Sequence, residues 1–175
     1  MHEDADARKK KLHDFMSAER YCVVATNSPN GAPEASLVGF AVTPALEVIF
    51  ETTDATRKCS NLRRDPRISL VIAKDQFTLQ YEGTVDEPDG SELEELKATF
   101  FSAWPQLRSH EEWPGLTYFR IKPRWIRFSS YYRPRSVEEM SFEPVDGTPR
   151  KPDGPHFRLQ DLIGNMRSYW NAKKS

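Results

Sequence analysis

The chain has 175 residues, enough for one domain with a substantial hydrophobic core but short for two independent domains. Its 25 basic and 26 acidic side chains nearly cancel, so bulk charge favours neither nucleic acid nor a membrane surface, and any anion site must be local. No apolar run approaches the roughly 20 residues that span a bilayer, and the N-terminus lacks the layout of a secretory signal, so we expect a cytoplasmic protein.

The first third of the chain predicts a helix followed by antiparallel strands. Apolar side chains at 3.6-residue spacing predict an amphipathic helix at about residues 6–17. Three β-rich runs separated by two turns follow, which predicts an antiparallel meander rather than parallel βαβ units. The predicted strands of this meander are residues 21–26, 35–42 and 46–52.

The middle of the chain predicts two more helices and four more strands. Asp54 is predicted to cap a helix of about ten residues that Pro66 ends, and Ser91 to open a second helix through a capping box. Strict alternation places Thr78 and Gln80 on one face of a strand. The predicted strands are residues 68–73, 77–82, 118–122 and 125–129, which give a barrel-like total of seven.

The cysteines, the histidines and the tail complete the pattern. Cys22 and Cys59 are predicted to be buried free thiols, and the scattered histidines lack the spacing of metal ligands, so we predict no metal site. From Arg133 the chain is rich in Pro, Glu, Asp and Gly, which favours a surface loop, and helical spacing returns at about residues 159–170. We therefore expect a domain over residues 1–132 and a C-terminal extension over 133–175, loop plus helix, that packs on it.

The segment Thr56-Arg57-Lys58 carries the chemistry that the sequence indicates. A strand runs into a helix here, and the helix start supplies unpaired N–H groups and the positive end of its dipole. Arg57 can bind phosphate oxygens with two parallel N–H bonds, Lys58 adds a point charge, and Thr56 can donate a hydroxyl hydrogen bond. Taken alone, the same residues fit an ordinary helix start, because many helices begin with threonine and carry Arg-Lys.

The order of the elements gives this segment its context. Thr56-Arg57-Lys58 is followed by Asn61-Leu62-Arg63-Arg64-Asp65-Pro66-Arg67, and later by Arg120-Ile121-Lys122-Pro123-Arg124-Trp125-Ile126-Arg127. In this order, over roughly residues 10 to 131, the chain resembles the pyridoxamine 5'-phosphate oxidase-like flavoproteins. The resemblance implies a mainly β fold with peripheral helices, a six- to seven-stranded antiparallel split barrel that forms a homodimer. FMN would lie in clefts between the two protomers.

The same resemblance implies a set of FMN-binding residues. Arg57 and Lys58 inherit the contacts to the phosphate, and Thr78 falls at a flavin-contacting glutamine position, although Gln80 on the same face could supply the amide instead. The full implied set is Ser36, Leu37, Val38, Gly39, Glu51, Thr52, Thr56, Arg57, Lys58, Thr78 and Gln80.

The chain also departs from the family pattern. The arginine and lysine that bracket the family's second strand fall here at about Ser36 and Ala41, and the arginine-histidine signature that ends the vitamin B6 oxidase is missing after Ser129. We therefore expect an FMN-dependent oxidoreductase with an unknown substrate, in which the flavin carries the chemistry and no catalytic side chain is assigned. Two alternatives stay open: a flavin-binding or flavin-carrier protein without turnover, and a split barrel that acts as an interaction module without cofactor.

Overall fold

The computed structural model describes residues 2–142, which lie within one compact unit, Met1–Glu143. The helices are α1 (His2–Ser17), α2 (Arg57–Arg64) and α3 (Gly90–Ala103), followed by a 3-10 helix, Pro105–Glu112. The strands are β1 (Tyr21–Asn27), β2 (Pro33–Gly39), β3 (Ala41–Val42), β4 (Val48–Thr53), β5 (Arg67–Lys74), β6 (Phe77–Asp86), β7 (Leu116–Ser130) and β8 (Ser136–Ser141). In this part of the chain no helix is long and apolar enough to cross a membrane.

The strands form one antiparallel sheet that curls into a split barrel. Its hydrogen-bonded order is β2-β1-β5-β6-β7-β4-β3, and β8 pairs with the second half of β7. Alternate side chains point into the core, as the period of two in strands requires. The mainly β split barrel with peripheral helices confirms the predicted fold class.

Two hydrophobic clusters hold this sheet. Inside the curl, Phe50 of β4 stacks on Phe119 of β7 with ring centroids 5.5 Å apart, and Met16 of α1 is fully buried against the same core. On the outer face of β3, β4 and β7, Phe100 of α3 packs edge to face on Tyr118. α3 therefore covers one outer face of the sheet, and α1 covers part of its interior.

Both cysteines belong to the inner cluster. Cys22 and Cys59 are buried free thiols, as predicted. Burial raises the pKa of the Cys22 thiol to about 12, because a thiolate loses its hydration there. Neither sulfur is therefore placed for nucleophilic chemistry.

The predicted three-stranded meander is wrong in one respect: the strand expected over residues 35–42 breaks at Phe40. The buried Trp104 indole donates to the Phe40 carbonyl at 2.8 Å, which takes that carbonyl out of a strand ladder. β3 then pairs with β4, and β4 pairs with β7 rather than with β2. β2 and β3, on either side of this break, are the two ends of the sheet order.

The two strands predicted around Pro123 are one continuous strand, β7. Pro123 lies opposite Gly83, at a bulge in the pairing of β6 with β7, and a bulge is one of the few places where a sheet accepts proline. A side chain at Gly83 would place its Cβ 2.6 Å from the Ile121 side chain and from the Lys122 carbonyl. Glycine therefore lets the two strands approach closely there.

Two further predictions need correction. α3 begins at Gly90 after Asp89, whose side chain makes no capping bond, so the capping box expected at Ser91 does not form. The loop expected from Arg133 contains β8, because Met140 packs on the core and Glu138 forms an ion pair with Lys11. The helix predicted at about residues 159–170 lies outside the described residues.

Tyr81 should contribute more to stability through its hydroxyl than Tyr118 does. The Tyr81 hydroxyl lies 3.0 Å from the Leu46 carbonyl and 2.9 Å from the Ile121 carbonyl, whereas that of Tyr118 is buried without a hydrogen-bond partner among the described residues. We expect Tyr81→Phe to lower the free energy of unfolding by about 1 kcal/mol and Tyr118→Phe to lower it by less. Urea denaturation measures both, and equal losses would contradict the assignment.

Asp65, at the end of α2, should make stability depend on pH. Arg67 donates to it at 2.8 and 2.7 Å and Asn27 at 3.1 Å, and these bonds hold the pKa of Asp65 well below its usual 3.8. A lowered folded-state pKa adds stability that is present above about pH 4 and is lost as the pH falls through the folded value. We expect Asp65→Asn to cost about 1 kcal/mol at pH 7 and progressively less below pH 4 in urea melts. An equal cost at pH 7 and pH 3 would contradict this account.

Candidate anion-binding site

The junction between β4 and α2 brings two threonine hydroxyls together. Thr52 is a buried residue of β4, and its Oγ1 lies 3.1 Å from Oγ1 of Thr56. Thr56 is the N-cap of α2: its hydroxyl accepts from the Cys59 amide at 3.4 Å and donates to the Thr53 carbonyl at 2.8 Å. The predicted cap at Asp54 is therefore wrong, because the helix begins three residues later.

Lys58 directs its ammonium group at these hydroxyls. Its Nζ donates to Thr52 Oγ1 at 3.0 Å, and the side chain is half-buried. Burial lowers the pKa of Lys58 below its ordinary 10.5, because desolvation penalises the charged form. No carboxylate within the described range forms an ion pair with Lys58. Within that range Lys58 is therefore a partly desolvated cation without a counter-ion.

Arg57 differs from Lys58 in both exposure and partner. Its side chain is 83% exposed, and Nη1 donates to Oε1 of Glu34 at 2.8 Å. The second carboxylate oxygen of Glu34 accepts from Asn61 Nδ2 at 3.0 Å, and Asn61 is buried with a further bond to Thr26 at 3.1 Å. Glu34 is thus an internal anion at the start of α2.

The other basic residues of α2 and its flank are engaged elsewhere. Arg63 makes a two-pronged bond to Glu87 at 2.6 and 2.9 Å, Arg64 donates to the Asn27 carbonyl, and Arg67 binds Asp65. These contacts fix the helix and turn its C-terminal cations away from the Thr52 and Thr56 hydroxyls. The junction therefore offers Lys58 and Arg57 as the cations for an external anion.

The predicted segment Ser36–Gly39 lies in β2, the strand at one end of the sheet order. Its neighbour is β1, with Leu37 opposite Val23 and Gly39 opposite Tyr21. Leu37 is 66% exposed, whereas Val38 is buried in the core. Within this segment Leu37 therefore presents the one exposed side chain, on the outer face of the sheet.

Glu51 lies next to Thr52 in sequence but points to the opposite face of β4. Its Oε1 lies 2.6 Å from Nδ1 of His110, whose ring stacks on Trp113 with centroids 3.8 Å apart. The strand period of two explains this separation, because neighbouring side chains face opposite sides of a sheet. The Glu51 carboxylate is therefore apart from the Lys58 cluster, and only its backbone lies beside Thr52.

Thr78 and Gln80 lie on the outward face of β6, as their alternation predicts. Gln80 is the register partner of Val71 in β5, which pairs with Val23 in β1. Val23 in turn pairs with Leu37, so Gln80 and Leu37 end one continuous row across four strands. We call Leu37, Val23 and Val71 the outer row; all three are exposed apolar residues.

Sequence reasoning missed three features near the β4–α2 junction and its flanks: Glu34, Asn61 and the Glu51–His110 pair. Glu34 reaches Arg57 because β2 pairs with β1, with Glu34 opposite Thr26, and because α2 packs beside β1. Asn61 begins the segment 61–67, on which the family resemblance partly rests, but nothing in the sequence gives it these partners. A register between distant strands carries no local sequence pattern, whereas a helix start does.

Comparison with known proteins gives a family and several structural relatives. The sequence matches the family profile described as pyridoxamine 5'-phosphate oxidase over residues 9–130. No curated protein matches the chain in sequence. The profile match takes in every strand from β1 to β7 and the β4–α2 junction.

Three solved structures share the fold at low sequence identity. The heme binding protein from Mycobacterium smegmatis is 18% identical with a TM-score of 0.64, over 78% of this chain and 56% of that one. The heme storage protein HutZ from Vibrio cholerae is 16% identical with a TM-score of 0.59, over 66% and 89%. A pyridoxamine 5'-phosphate oxidase-related, FMN binding protein from Nostoc punctiforme is 14% identical with a TM-score of 0.52, over 81% and 96%.

At these identities the structural likeness shows the fold alone, and the chain spans little more than half of the Mycobacterium protein. The family rests on the profile match, which covers more than two thirds of the chain and agrees with the split-barrel topology. The chain belongs to the pyridoxamine 5'-phosphate oxidase family.

Proposed function

We propose that the chain is a cytoplasmic FMN-binding flavoprotein that holds the flavin's phosphate with Lys58 and Arg57, and that it acts as an FMN-dependent oxidoreductase. One observation carries the cofactor assignment: the half-buried Lys58 ammonium donates to Thr52 and has no carboxylate partner in the described range. A buried cation is expensive to keep without an anion nearby. A phosphate group would supply that anion.

The donors at the junction fit the chemistry of a phosphate group. Lys58 and Arg57 provide two positive charges, and the first-turn amides of α2 point out of its N-terminus. Thr56 already donates to the Thr53 carbonyl, so its part is to fix the first turn of α2. Charge-assisted bonds of this kind are about twice as strong as neutral ones, which suits a dianion.

The remaining predicted residues would bind the non-phosphate part of FMN. The segment Ser36–Gly39 would lie along the flavin, with the backbone of Glu51 and Thr52 beside it, and Thr78 or Gln80 would face the pyrimidine edge. When bound, the flavin supplies the hydride or electron chemistry. A carrier without turnover and an interaction module without cofactor are the competing functions, and the assays below separate them.

The heme-binding relatives make heme the competing ligand. Heme iron needs an axial ligand such as histidine, cysteine, methionine or tyrosine. Among the described side chains both cysteines are buried, and His110 is held by Glu51 and Trp113. His13 lies 3.4 Å from the Ser17 hydroxyl on α1. Tyr21, Tyr131 and Tyr132 are exposed but are not part of the β4–α2 junction, whose ammonium, guanidinium and helix amides suit a phosphate rather than heme iron.

The outer row supports the proposed homodimer. Leu37, Val23 and Val71 form a contiguous exposed apolar stripe on the outer face of β2, β1 and β5, and Tyr21 beside it is also exposed. Apolar side chains in adjacent strands form a patch of the kind that marks protein interfaces. Because Leu37 lies in the proposed flavin segment, a dimer across this face would place the cofactor at the interface.

Replacing Lys58 should weaken FMN binding without lowering the stability of the fold. We expect Lys58→Met to weaken FMN binding at least tenfold, because one charge-assisted phosphate bond contributes about 1.5–3 kcal/mol. The thermal midpoint of the cofactor-free variant should match or exceed that of the wild type, because an unpaired, half-buried charge is removed. Fluorescence titration with FMN and with riboflavin measures the effect, and riboflavin affinity should not change.

Lys9→Met, on the exposed face of α1, is the matched control and should leave FMN affinity unchanged. Equal FMN affinity in wild type and Lys58→Met would overturn the phosphate assignment. Titration with hemin in parallel tests the competing ligand: a Soret band without flavin binding would favour heme. For a protein that binds FMN, reduction by NADH or NADPH distinguishes an oxidoreductase from a carrier.

A charge placed in the outer row should break the proposed dimer. Leu37→Glu buries a carboxylate at the interface without a partner, so we expect a shift from dimer to monomer in light scattering at micromolar concentration. FMN affinity should fall at least tenfold as well, since half of the cleft is lost. Ala45→Glu, in the exposed turn before β4, is the control. A wild type that is monomeric, or a Leu37→Glu dimer, would contradict the interface.

A further inference from the structure

In the described part of the chain, Glu34 is the one acidic residue that forms an ion pair with either of the proposed phosphate-binding cations, Lys58 and Arg57. Its Oε1 accepts from Arg57 Nη1 at 2.8 Å, and its Oε2 accepts from Asn61 Nδ2 at 3.0 Å. The carboxylate is 23% exposed, whereas the arginine is 83% exposed. The Glu34 carboxylate therefore already forms an ion pair with Arg57, one of the two cations at the start of α2.

The fold fixes this carboxylate in position. Glu34 lies in β2 opposite Thr26 of β1, and Asn61 of α2 donates to both residues, at 3.0 Å to Glu34 and 3.1 Å to Thr26. Asn61 is buried at 3% exposure, so its amide has a restricted set of orientations. In the described part of the chain Arg57 is held by Glu34, and its side chain lies in solvent. The mobile member of the pair is therefore the arginine.

We propose that Glu34 is an internal competing anion that lowers and tunes the affinity of this site for phosphate ligands, an inference that rests on the proposed function. Without ligand, its carboxylate neutralises Arg57. When a phosphate binds beside Lys58, Arg57 turns to it at little cost, because an exposed ion pair contributes little stability. Asn61 holds the Glu34 carboxylate where it was, so the phosphate binds next to a like charge.

This arrangement limits occupation of the site at low concentration to phosphate ligands that gain binding energy elsewhere. Inorganic phosphate alone meets the repulsion of Glu34 without other contacts, so it should bind weakly. A phosphate attached to a large planar group gains apolar contacts as well, and these offset the repulsion. Glu34 would therefore weaken both ligands, and the flavin phosphate, with its additional contacts, would still bind at concentrations where free phosphate does not.

The test is the isosteric change Glu34→Gln, which keeps an acceptor for Asn61 and removes the charge. We expect FMN to bind at least tenfold tighter, since the repulsion between two unit charges a few ångströms apart near a protein surface exceeds the free energy of a tenfold change in affinity. The gain should shrink at 1 M salt, where screening is strong. Riboflavin affinity should stay the same, and inorganic phosphate should raise the thermal midpoint of Glu34→Gln more than that of the wild type.

Glu34→Ala and the control Glu95→Gln, on the exposed face of α3, complete the series. Tighter FMN binding in both Glu34 variants, with unchanged affinity in the control, supports the inference. If the wild type binds FMN and the Glu34 variants bind it equally or more weakly, Glu34 is not a competitor and this inference alone fails. If neither FMN nor inorganic phosphate binds any variant, the proposed function fails and this inference with it.

Discussion

The hydrogen bond from the Lys58 ammonium to the Thr52 hydroxyl joins the last buried residue of β4 to the first turn of α2. The position of this first turn determines where the other groups of the site lie. The Thr56 cap lies 3.1 Å from Thr52, the helix points its first amides outward, and Asn61 one turn later reaches Thr26 and Glu34. The Lys58 ammonium is partly desolvated there, and an external anion would offset its lost hydration.

The break at Phe40 separates β2 and β3, the two ends of the sheet order among the described strands. The Trp104 indole binds the Phe40 carbonyl and ends β2, so β4 finds its partner in β7 and the edge of β2 is left without a neighbouring strand in the sheet order. The exposed outer row lies on the same strands. An open edge and an apolar stripe on neighbouring strands are what a second protomer would cover.

Local features of the fold and the site could be predicted from the sequence, and long-range ones could not. The strand-to-helix junction around Thr56-Arg57-Lys58 and the alternation of Thr78 with Gln80 depend on neighbours in the chain, and the structure has both, although the cap is Thr56 rather than Asp54. The contact of Glu34 with Arg57 depends on the register of β1 with β2 and on where α2 packs. The side on which Glu51 lies follows from the period of β4, but its partner His110 comes from a segment 59 residues away. The break at Phe40 likewise depends on Trp104, 64 residues later.

The same fold carries heme in some relatives and FMN in another, so the local donors must decide the ligand. Here those donors are an ammonium, a guanidinium and helix amides, which suit a phosphate. The most direct measurement is a crystal structure of the protein with FMN. We expect a phosphate oxygen within about 3 Å of Lys58 Nζ, with Arg57 turned from Glu34 toward the phosphate. A phosphate bound away from α2, with the Arg57–Glu34 bond intact, would contradict it.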